Sequence, residues 1–345
     1  MKFTDKYHGN GGLKISNRID ADEGDDFLRF LQQMGVDCCY AWVNPGQDNY
    51  DFLARLKERV EKFNLSLFNL GSAEYAKPVS VHRGLADRDR YIEGLIKFME
   101  LLGKIGVPTT TITWESGHAY ATSPEGHVVR PPEKIDLVMT RGGAPTRLYD
   151  DAVAAADPLS ERITVSKEQI WDNFTYFAKA AVPEAERNKV RICLHPNDPP
   201  VSHTLGVATL IESAGDYRRA FKIADSEFFG MEFCCGCWLE GGARNFGDII
   251  AGIEEFAAAG KISIVHFRNV SGALPYFIET FIDDGYQDMY ALMKAFVRAG
   301  YNGTMIYDHS PEMAAGFAAQ TAFAVGYMKA LRRAAQVELA ATVDG

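Results

Sequence analysis

Four side chains that commonly bind metal ions fall at the ends of four consecutive apolar segments. His195 and Cys234 end two of these segments, and His266 and Asp308 lie near the ends of the next two. Two imidazoles, a thiolate and a carboxylate form a mixed set of ligands that can hold Mn²⁺, Fe²⁺, Co²⁺ or Zn²⁺. These residues therefore predict a divalent metal site, provided that the fold brings the four positions together.

Two further polar residues lie next to this set and suit catalysis. Arg268 comes two residues after His266, so in a strand it points to the same side and could bind a carboxylate or phosphate oxygen. His309 follows Asp308 directly, and an imidazole can accept and donate protons near neutral pH. We predict Arg268 and His309 as catalytic residues, although His309 could equally be a solvated histidine at a strand end.

The apolar segments belong to a repeating pattern of short buried strands and longer amphipathic helices. The predicted strands cover residues 12–16, 36–42, 65–69, 107–114, 190–195, 229–234, 262–268 and 304–309. The predicted helices cover residues 25–34, 50–63, 87–105, 166–181, 216–224, 246–259, 287–299 and 313–335. Eight such units predict a (β/α)8 TIM barrel, in which the carboxyl ends of all strands meet at one face. A doubly wound open sheet is the alternative, but no Gly-x-Gly-x-x-Gly turn follows the first strand.

A long segment after the fourth strand breaks this pattern. Residues 115–164 contain many Gly, Pro, Arg and Asp residues and show little periodicity. A loop of this length inside a compact domain is either functional or a sign of a wrong assignment. We predict a lid within a single domain spanning residues 1–345. His118, Tyr120 and Arg141 could contact a substrate there, or could equally lie on the surface.

Composition excludes several classes of partner. Lys and Arg number 36 against 46 Asp and Glu, and the net charge of −10 disfavours a nucleic-acid partner. The sequence has no run of about 18 apolar residues, so we predict no membrane partner. Six cysteines are too few for a disulfide scaffold in 345 residues, which favours a cytoplasmic protein. The C-x-x-C pair of Cys234 and Cys237 leaves a redox role open as an alternative use of these thiols.

Five segments of the second half together resemble the motifs of a known enzyme family. They are residues 195–200 (HPNDPP), 234–236 (CCG), 266–270 (HFRNV), 284–289 (DGYQDM) and 308–309 (DH). In this order they resemble mannonate dehydratase, a family of TIM barrels of the xylose-isomerase-like kind. The resemblance is clear over residues 190–309 and weaker at Trp114 and residues 141–144.

The resemblance implies a reaction, a cofactor and a set of roles. His195, Cys234, His266 and Asp308 would bind a divalent metal, usually manganese, and His309 would serve in acid–base catalysis. The implied reaction is the loss of water from D-mannonate to give 2-dehydro-3-deoxy-D-gluconate. We therefore predict a metal-dependent lyase of hexuronate degradation, with Mn²⁺ as the expected ion. Its expected partners are a small sugar acid and, as a homo-oligomer, other copies of the same chain.

Three departures from the family pattern concern its motifs. The opening Trp-Arg-Trp segment is absent near residues 12–17, Asn197 stands where Asp is usual, and residues 206–208 lack the expected arginine.

A fourth departure concerns the second proton carrier. The family carries a loop tyrosine after its Asp-His motif, whereas the nearest position here is Phe317, and a phenyl ring cannot transfer a proton. Tyr120, His118 and His203 are possible replacements. A metal-dependent isomerase, epimerase or lyase acting on another sugar therefore stays open as an alternative, as does a non-catalytic sugar-binding barrel.

Overall fold

Eight parallel strands close into a barrel within the part of the chain that the computed structural model describes, residues 12–114, 121–126, 128–129, 138–157 and 164–343. The strands are β1 (Lys14–Asp20), β2 (Cys38–Val43), β3 (Ser66–Ser72), β4 (Thr109–Thr113), β5 (Arg191–His195), β6 (Phe229–Cys234), β7 (Ile262–His266) and β8 (Thr304–Ile306). Each strand pairs with its neighbours in sequence, and β8 pairs with β1 to close the ring. The predicted (β/α)8 barrel is confirmed.

A long helix follows each strand of the barrel. These helices are α1 (Asp25–Gln33), α2 (Tyr50–Glu61), α3 (Arg88–Ile105), α4 (Lys167–Asn188), α5 (Ala214–Ala224), α6 (Ile249–Ala258), α7 (Met289–Arg298) and α8 (Phe317–Val343). The start of α4 shows why the sequence forms a helix there. Ser166 accepts a hydrogen bond from the backbone of Gln169, whose side chain accepts one from the backbone of Ser166, as its capping-box sequence predicts. None of the helices in the described ranges is long and apolar enough to cross a membrane.

The interior of the barrel is apolar toward the amino ends of the strands and polar toward their carboxyl ends. Cys38, Phe68, Cys193 and Ile264, from four different strands, form an apolar cluster separate from the main core. Because side chains alternate along a strand, the inward positions further along β5 and β7 are His195 and His266. The cluster therefore closes the barrel beneath the polar side chains that meet at its carboxyl end.

Two strands differ from their predicted bounds in ways that affect this end. The first strand, β1, extends to Asp20 and so includes Arg18, because a strand at a barrel mouth can carry polar side chains that face the cavity. The eighth, β8, already ends at Ile306, so Asp308 and His309 lie in the turn after it. An unpredicted helix, Cys235–Asn245, begins directly after β6.

The predicted insertion is described in part. Its strand Leu148–Asp150 pairs antiparallel with Tyr276–Ile278, which lies in the loop after β7. A helix, Asp151–Ala155, follows this strand. The pairing holds this part of the insertion against a loop at the carboxyl end of the barrel. Its role as a lid stays a prediction, as does the extent of the single domain.

Candidate active site

The structure brings the four predicted metal ligands together at the ends of β5 to β8. Donor atoms of Cys234, His266 and Asp308 all lie within 4.8 Å of one another, and those of His195, Cys234 and Cys237 do so as well. Cys234 and His266 are direct partners in the β6–β7 register. The ring centroids of His195 and His266 are 5.0 Å apart. Cys234 thus belongs to both groups and links them into one cluster.

His195 and Cys234 are both prepared for metal binding. The Nδ1 atom of His195 lies 2.7 Å from the carbonyl oxygen of Pro196, which can only accept, so Nδ1 donates and Nε2 is left for a metal. The Sγ atom of Cys234 accepts hydrogen bonds from the backbone of Cys237 at 3.4 Å and from Arg268 at 3.7 Å. Burial raises the pKa of the Cys234 thiol, but Cys237 and the charge of Arg268 outweigh this effect and hold it well below its ordinary value. The thiolate, which is the form that binds metals, is therefore favoured.

The contacts of His266 show whether a cation fits this site. Both its ring nitrogens are buried and make no hydrogen bond to the described residues. Yet Nε2 lies 2.5 Å from Oε1 of Glu232, and Nδ1 lies 3.3 Å from Oδ1 of Asp308. Burial lowers the pKa of His266, but the charges of Asp308 and Glu232 raise it well above its ordinary value. Buried nitrogen, oxygen and sulfur donors that crowd together without hydrogen-bond geometry fit a divalent metal ion.

Asp308 reaches this cluster through an unusual backbone turn. Its φ of 65° lies in the left-handed region, which non-glycine residues adopt rarely. The turn places its Oδ2 atom 3.1 Å from Nε of Arg268 and 3.3 Å from Nε2 of His309. Burial raises the pKa of Asp308, but the charges of His266 and His309 hold it well below its ordinary value.

Arg268 differs from its predicted role. The side chain is 1% exposed, and all five N–H groups donate to groups of the protein. The acceptors are Glu240 and Glu279 at 2.7 Å each, Asp308 at 3.1 Å, Asp198 at 3.2 Å, and Cys234 and Cys237 at 3.7 Å each. With every donor engaged, Arg268 does not face a substrate carboxylate. It instead holds Cys234 and Asp308 in position.

His309 lies at the mouth of the barrel, as predicted, and is held by a residue that sequence reasoning missed. Its Nδ1 atom is 3.0 Å from Oε2 of Glu279, and its Nε2 atom is 3.4 Å from Nη2 of Arg147. Burial raises the pKa of Glu279, but the charges of Arg147, His309 and Arg268 hold it well below its ordinary value. Glu279 therefore accepts a hydrogen bond from Nδ1 and orients the imidazole.

A cavity of about 500 Å³ opens beside His309 and the metal cluster. Arg18, Lys77 and Arg147 line it and bring three positive charges to the mouth. Tyr40 also lines it. Sequence reasoning missed Arg18 and Tyr40. The only sequence signal for them is the alternation of inward and outward side chains along β1 and β2. Asp198, Glu232 and Asp308 line the same cavity, so charges of both signs face it and it suits a small, polar molecule.

The predicted substrate-binding residues do not gather here. His203 lines a separate cavity of about 420 Å³, which shares none of its described lining residues with the first. Arg141 pairs with Asp283 at 2.9 Å and lies over the ring of Phe281, away from the site. His118 and Tyr120 lie outside the described residues, so their roles stay predictions. From the same insertion, Arg147 rather than Arg141 reaches the cavity.

Comparisons with known proteins agree on one family. The family model described as D-mannonate dehydratase (UxuA) matches residues 152–340. A mannonate dehydratase from Thermotoga maritima is 29% identical over 287 residues, which cover 75% of this chain and 77% of that protein. Mannonate dehydratase 2 from Halalkalibacterium halodurans is 24% identical over 279 residues, covering 74% and 76%.

Solved structures show the same fold. The mannonate dehydratase from Streptococcus suis serotype 2 superposes with a TM-score of 0.79 at 22% identity, covering 95% of this chain and 96% of that one. An L-ribulose 3-epimerase superposes with a TM-score of 0.60 at 14% identity, covering 96% and 98%. At these identities, the structures support the barrel and not a particular reaction.

Proposed function

The chain belongs to the D-mannonate dehydratase family, whose model matches more than half of it, and on that basis we propose that it dehydrates D-mannonate to 2-dehydro-3-deoxy-D-gluconate. The protein is thus a lyase of the hydro-lyase class. The observation that carries the proposal is the convergence of His195, Cys234, His266 and Asp308 beside His309 on one cavity.

A divalent metal would be held by these four residues. We propose Mn²⁺, while Fe²⁺, Co²⁺ and Zn²⁺ also suit a mixed set of nitrogen, sulfur and oxygen donors. When bound, the ion would supply positive charge that stabilises the charge developing on the substrate carboxylate. Arg18, Lys77 and Arg147 add positive charge at the mouth, where they would bind and orient the sugar acid.

Two proton transfers are required, and we assign them to two residues that line the cavity. His309, oriented by Glu279, would take the proton from C2 of the substrate. Tyr40 would give a proton to the departing C3 hydroxyl. Tyr40 lines the same cavity as His309, and its phenol carries a proton near neutral pH. Tyr40 would then take the place of the family's loop tyrosine, which this chain lacks between Asp308–His309 and the start of α8.

An epimerase or isomerase acting on another sugar is the second candidate. Phe317 begins α8, is 51% exposed and stacks on Phe27 with ring centroids 5.7 Å apart. A phenyl ring has no ionisable proton, so Phe317 cannot donate one to the substrate. An isomerase that moves a proton without expelling the hydroxyl would need only one face of this site, whereas an epimerase must return the proton to the opposite face of the substrate.

The test is to incubate Mn²⁺-loaded protein with D-mannonate and to detect the 2-keto-3-deoxy product. We expect His309→Asn to retain metal and to lower kcat by about 10²- to 10⁴-fold, because it removes the proton acceptor. Tyr40→Phe should also lose dehydration but should still exchange the C2 proton with solvent deuterium, whereas His309→Asn should not exchange it. Full activity of His309→Asn would contradict its role, and a C2 epimer as the product would favour the second candidate.

Location and assembly belong to the same proposal. All six cysteines lie in the described part of the chain, and none forms a disulfide there. This supports a cytoplasmic enzyme, since reduced thiols persist in that compartment. We also propose a homo-oligomer, because most soluble oligomers are built from copies of one chain; light scattering would check this.

A further inference from the structure

The cavity at the barrel mouth has two chemically different walls. Strands β5 to β8 and the turns after them supply its acidic residues, which are Asp198, Glu232 and Asp308. Strands β1 to β4 and the segment after β3 supply no acidic residue to the described lining. The polar residues of this second wall, which we call the β1–β4 wall, are Arg18, Tyr40, Asn69, Lys77, Thr111 and Thr113. A polyhydroxy acid bound in the cavity would therefore meet hydroxyl, amide and cationic groups on this wall.

Asn69 and Thr111 already have hydrogen-bond partners within the barrel. Nδ2 of Asn69 donates to Oγ1 of Thr111 at 2.9 Å, and Oδ1 of Asn69 accepts from Oγ1 of Thr109 at 3.2 Å. The Thr109 hydroxyl also donates to the carbonyl oxygen of Phe68 at 2.8 Å. These bonds join β3 to β4 and orient the side chains that make them.

Thr113 lacks such a partner. It lies two residues after Thr111 on β4, so its side chain points to the same side of the strand; it is 4% exposed and lines the cavity. Its Oγ1 atom is buried and makes no hydrogen bond to the described residues. A buried hydroxyl is normally paired with protein, water or a ligand, because leaving it unpaired is costly. Rotation about the Cα–Cβ bond exchanges the hydroxyl and methyl positions, so the hydroxyl can turn to a partner in the cavity without backbone movement.

Thr113 also lies beside the proposed metal site. It is the direct partner of His195 in the β4–β5 register. His309 follows β8, at the other end of the row of four strands that carry the proposed ligands. The proposed substrate is an open chain with a hydroxyl group on every carbon after its carboxylate. A chain that reacts beside His309 and crosses this row would bring one of its hydroxyl groups to Thr113.

We propose that Thr113 is a specificity-determining residue, which hydrogen-bonds one hydroxyl group of an open-chain polyhydroxy acid bound in the cavity. The inference rests on the proposed function for the substrate, and it names the side chain that recognises a hydroxyl group that is not expelled. A threonine hydroxyl can both donate to and accept from such a group. An acid that lacks this hydroxyl would leave Thr113 unpaired and would bind less tightly.

The test is a cycle that combines one substitution in the protein with one change in the ligand. Binding of D-mannonate is measured by calorimetry with Mn²⁺-loaded His309→Asn protein, in which turnover is slow, with and without the further substitution Thr113→Val. The same titrations use analogues of D-mannonate that each lack one hydroxyl group other than that at C3. We expect Thr113→Val to weaken D-mannonate binding about 10-fold. One analogue should bind about 10-fold more weakly than D-mannonate and lose nothing further when Thr113 is replaced, because the two missing hydroxyl groups are partners.

Thr110→Val is the matched control. Thr110 lies on the same strand, is 0% exposed, and its hydroxyl also makes no hydrogen bond to the described residues, but it does not line the cavity. We expect Thr110→Val to leave D-mannonate affinity unchanged, and Thr113→Ser, which keeps a hydroxyl, to retain most of it. The Kd for Mn²⁺ should be the same with and without Thr113→Val.

An unchanged D-mannonate affinity in Thr113→Val would overturn the inference, as would equal further losses for every analogue. An equal loss in Thr110→Val would also overturn it, and so would a fall in Mn²⁺ affinity that accounts for the weaker binding, because the effect would then act through His195. If wild-type protein bound D-mannonate without dehydrating it, the proposed reaction would fail while the cycle still decided the role of Thr113. Absence of D-mannonate binding to wild-type protein would overturn both.

Discussion

At the scale of single residues, the site is controlled by one buried arginine and the carboxylates around it. Arg268 joins Glu240, Glu279 and Asp198, and it also contacts Asp308 and Cys234. Burial raises the pKa of Glu240 well above its ordinary value, as does the charge of Asp198, so this carboxyl favours its neutral form. Positioning of the proposed ligands therefore depends on a network centred on Arg268, a side chain that does not line the cavity.

Glu279→Gln should reveal this network through the pH dependence of stability. The pKa of Glu279 is lower in the folded protein than in the unfolded chain, so the carboxylate stabilises the fold above about pH 4.3, the ordinary value. That contribution is lost as pH falls through the folded-state pKa. We expect the variant to lose about 3 kcal/mol of unfolding free energy at pH 7, because it leaves buried arginines without their partner. The difference should shrink steadily below pH 4.

Urea denaturation at several pH values would measure this difference. Glu255→Gln is a suitable control, because Glu255 pairs with Arg218 on the surface and is 42% exposed. We expect Glu255→Gln to lower the free energy of unfolding by only about 0–1 kcal/mol. A Glu279→Gln deficit that stayed constant from pH 7 to pH 3 would show that the carboxylate charge is not responsible.

At the scale of elements, the turns after the strands decide where the chemistry lies. The end of β6 leads directly into the helix Cys235–Asn245, so Cys234 accepts a hydrogen bond from the first turn of that helix. The chain after β8 places Asp308 in a left-handed conformation. Both connections return a side chain to the barrel axis instead of continuing along the strand.

Gly236 illustrates how closely these elements approach. A Cβ atom at this position would lie 2.4 Å from Cζ of Arg268, which six hydrogen bonds hold in place. We expect Gly236→Ala to cost about 2 kcal/mol of stability or more through overpacking, and to weaken metal binding because Arg268 must move. Calorimetry and metal titration would check both effects.

Gly326→Ala in α8 is the matched helix control. Among the described residues, no atom lies within 4 Å of the added Cβ. The substitution should stabilise the helix by up to about 1 kcal/mol, since alanine loses less backbone entropy than glycine on folding. Similar destabilisation by both substitutions would mean that contact with Arg268 is not the cause of the first effect.

At the scale of the whole molecule, the proposed metal links a large part of the barrel. Its four predicted ligands follow β5, β6, β7 and β8, so the site exists only when these strands are assembled. The overall charge of −10 is opposed locally by Arg18, Lys77 and Arg147 at the cavity. Because Asp198, Glu232 and Asp308 line the same cavity, a bound metal ion would supply the excess positive charge that an anionic substrate meets there.

Removal of metal should lower the thermal stability of the whole protein. A ligand that binds only the folded state at 100 times its Kd stabilises it by about 2.7 kcal/mol. Mn²⁺ should thus raise Tm by several degrees, a chelator should reverse the change, and Mg²⁺ should have less effect because it binds thiolates poorly. A Tm that did not respond to Mn²⁺ would argue against a metal site built from four strands.

The sequence alone was sufficient to predict the barrel and the positions of the four candidate ligands. Eight strand–helix repeats are a local signal, and parallel strands in a closed barrel place all their carboxyl ends on one face. His195, Cys234, His266 and Asp308 could therefore be expected to meet before their contacts were known. The start of α4 at Ser166 was equally predictable, because a capping box involves residues only three positions apart.

Only the tertiary structure decided which charges are buried together. Arg268 alternates correctly with His266, yet sequence spacing could not show that four carboxylates and two cysteines would occupy all its donors. Glu232, Arg147 and Glu279 gave no motif, because their roles depend on contacts between distant segments. Alternation along a strand determines the side to which a residue points. What it meets there, and whether water still reaches it, depends on how the other strands and loops close around it.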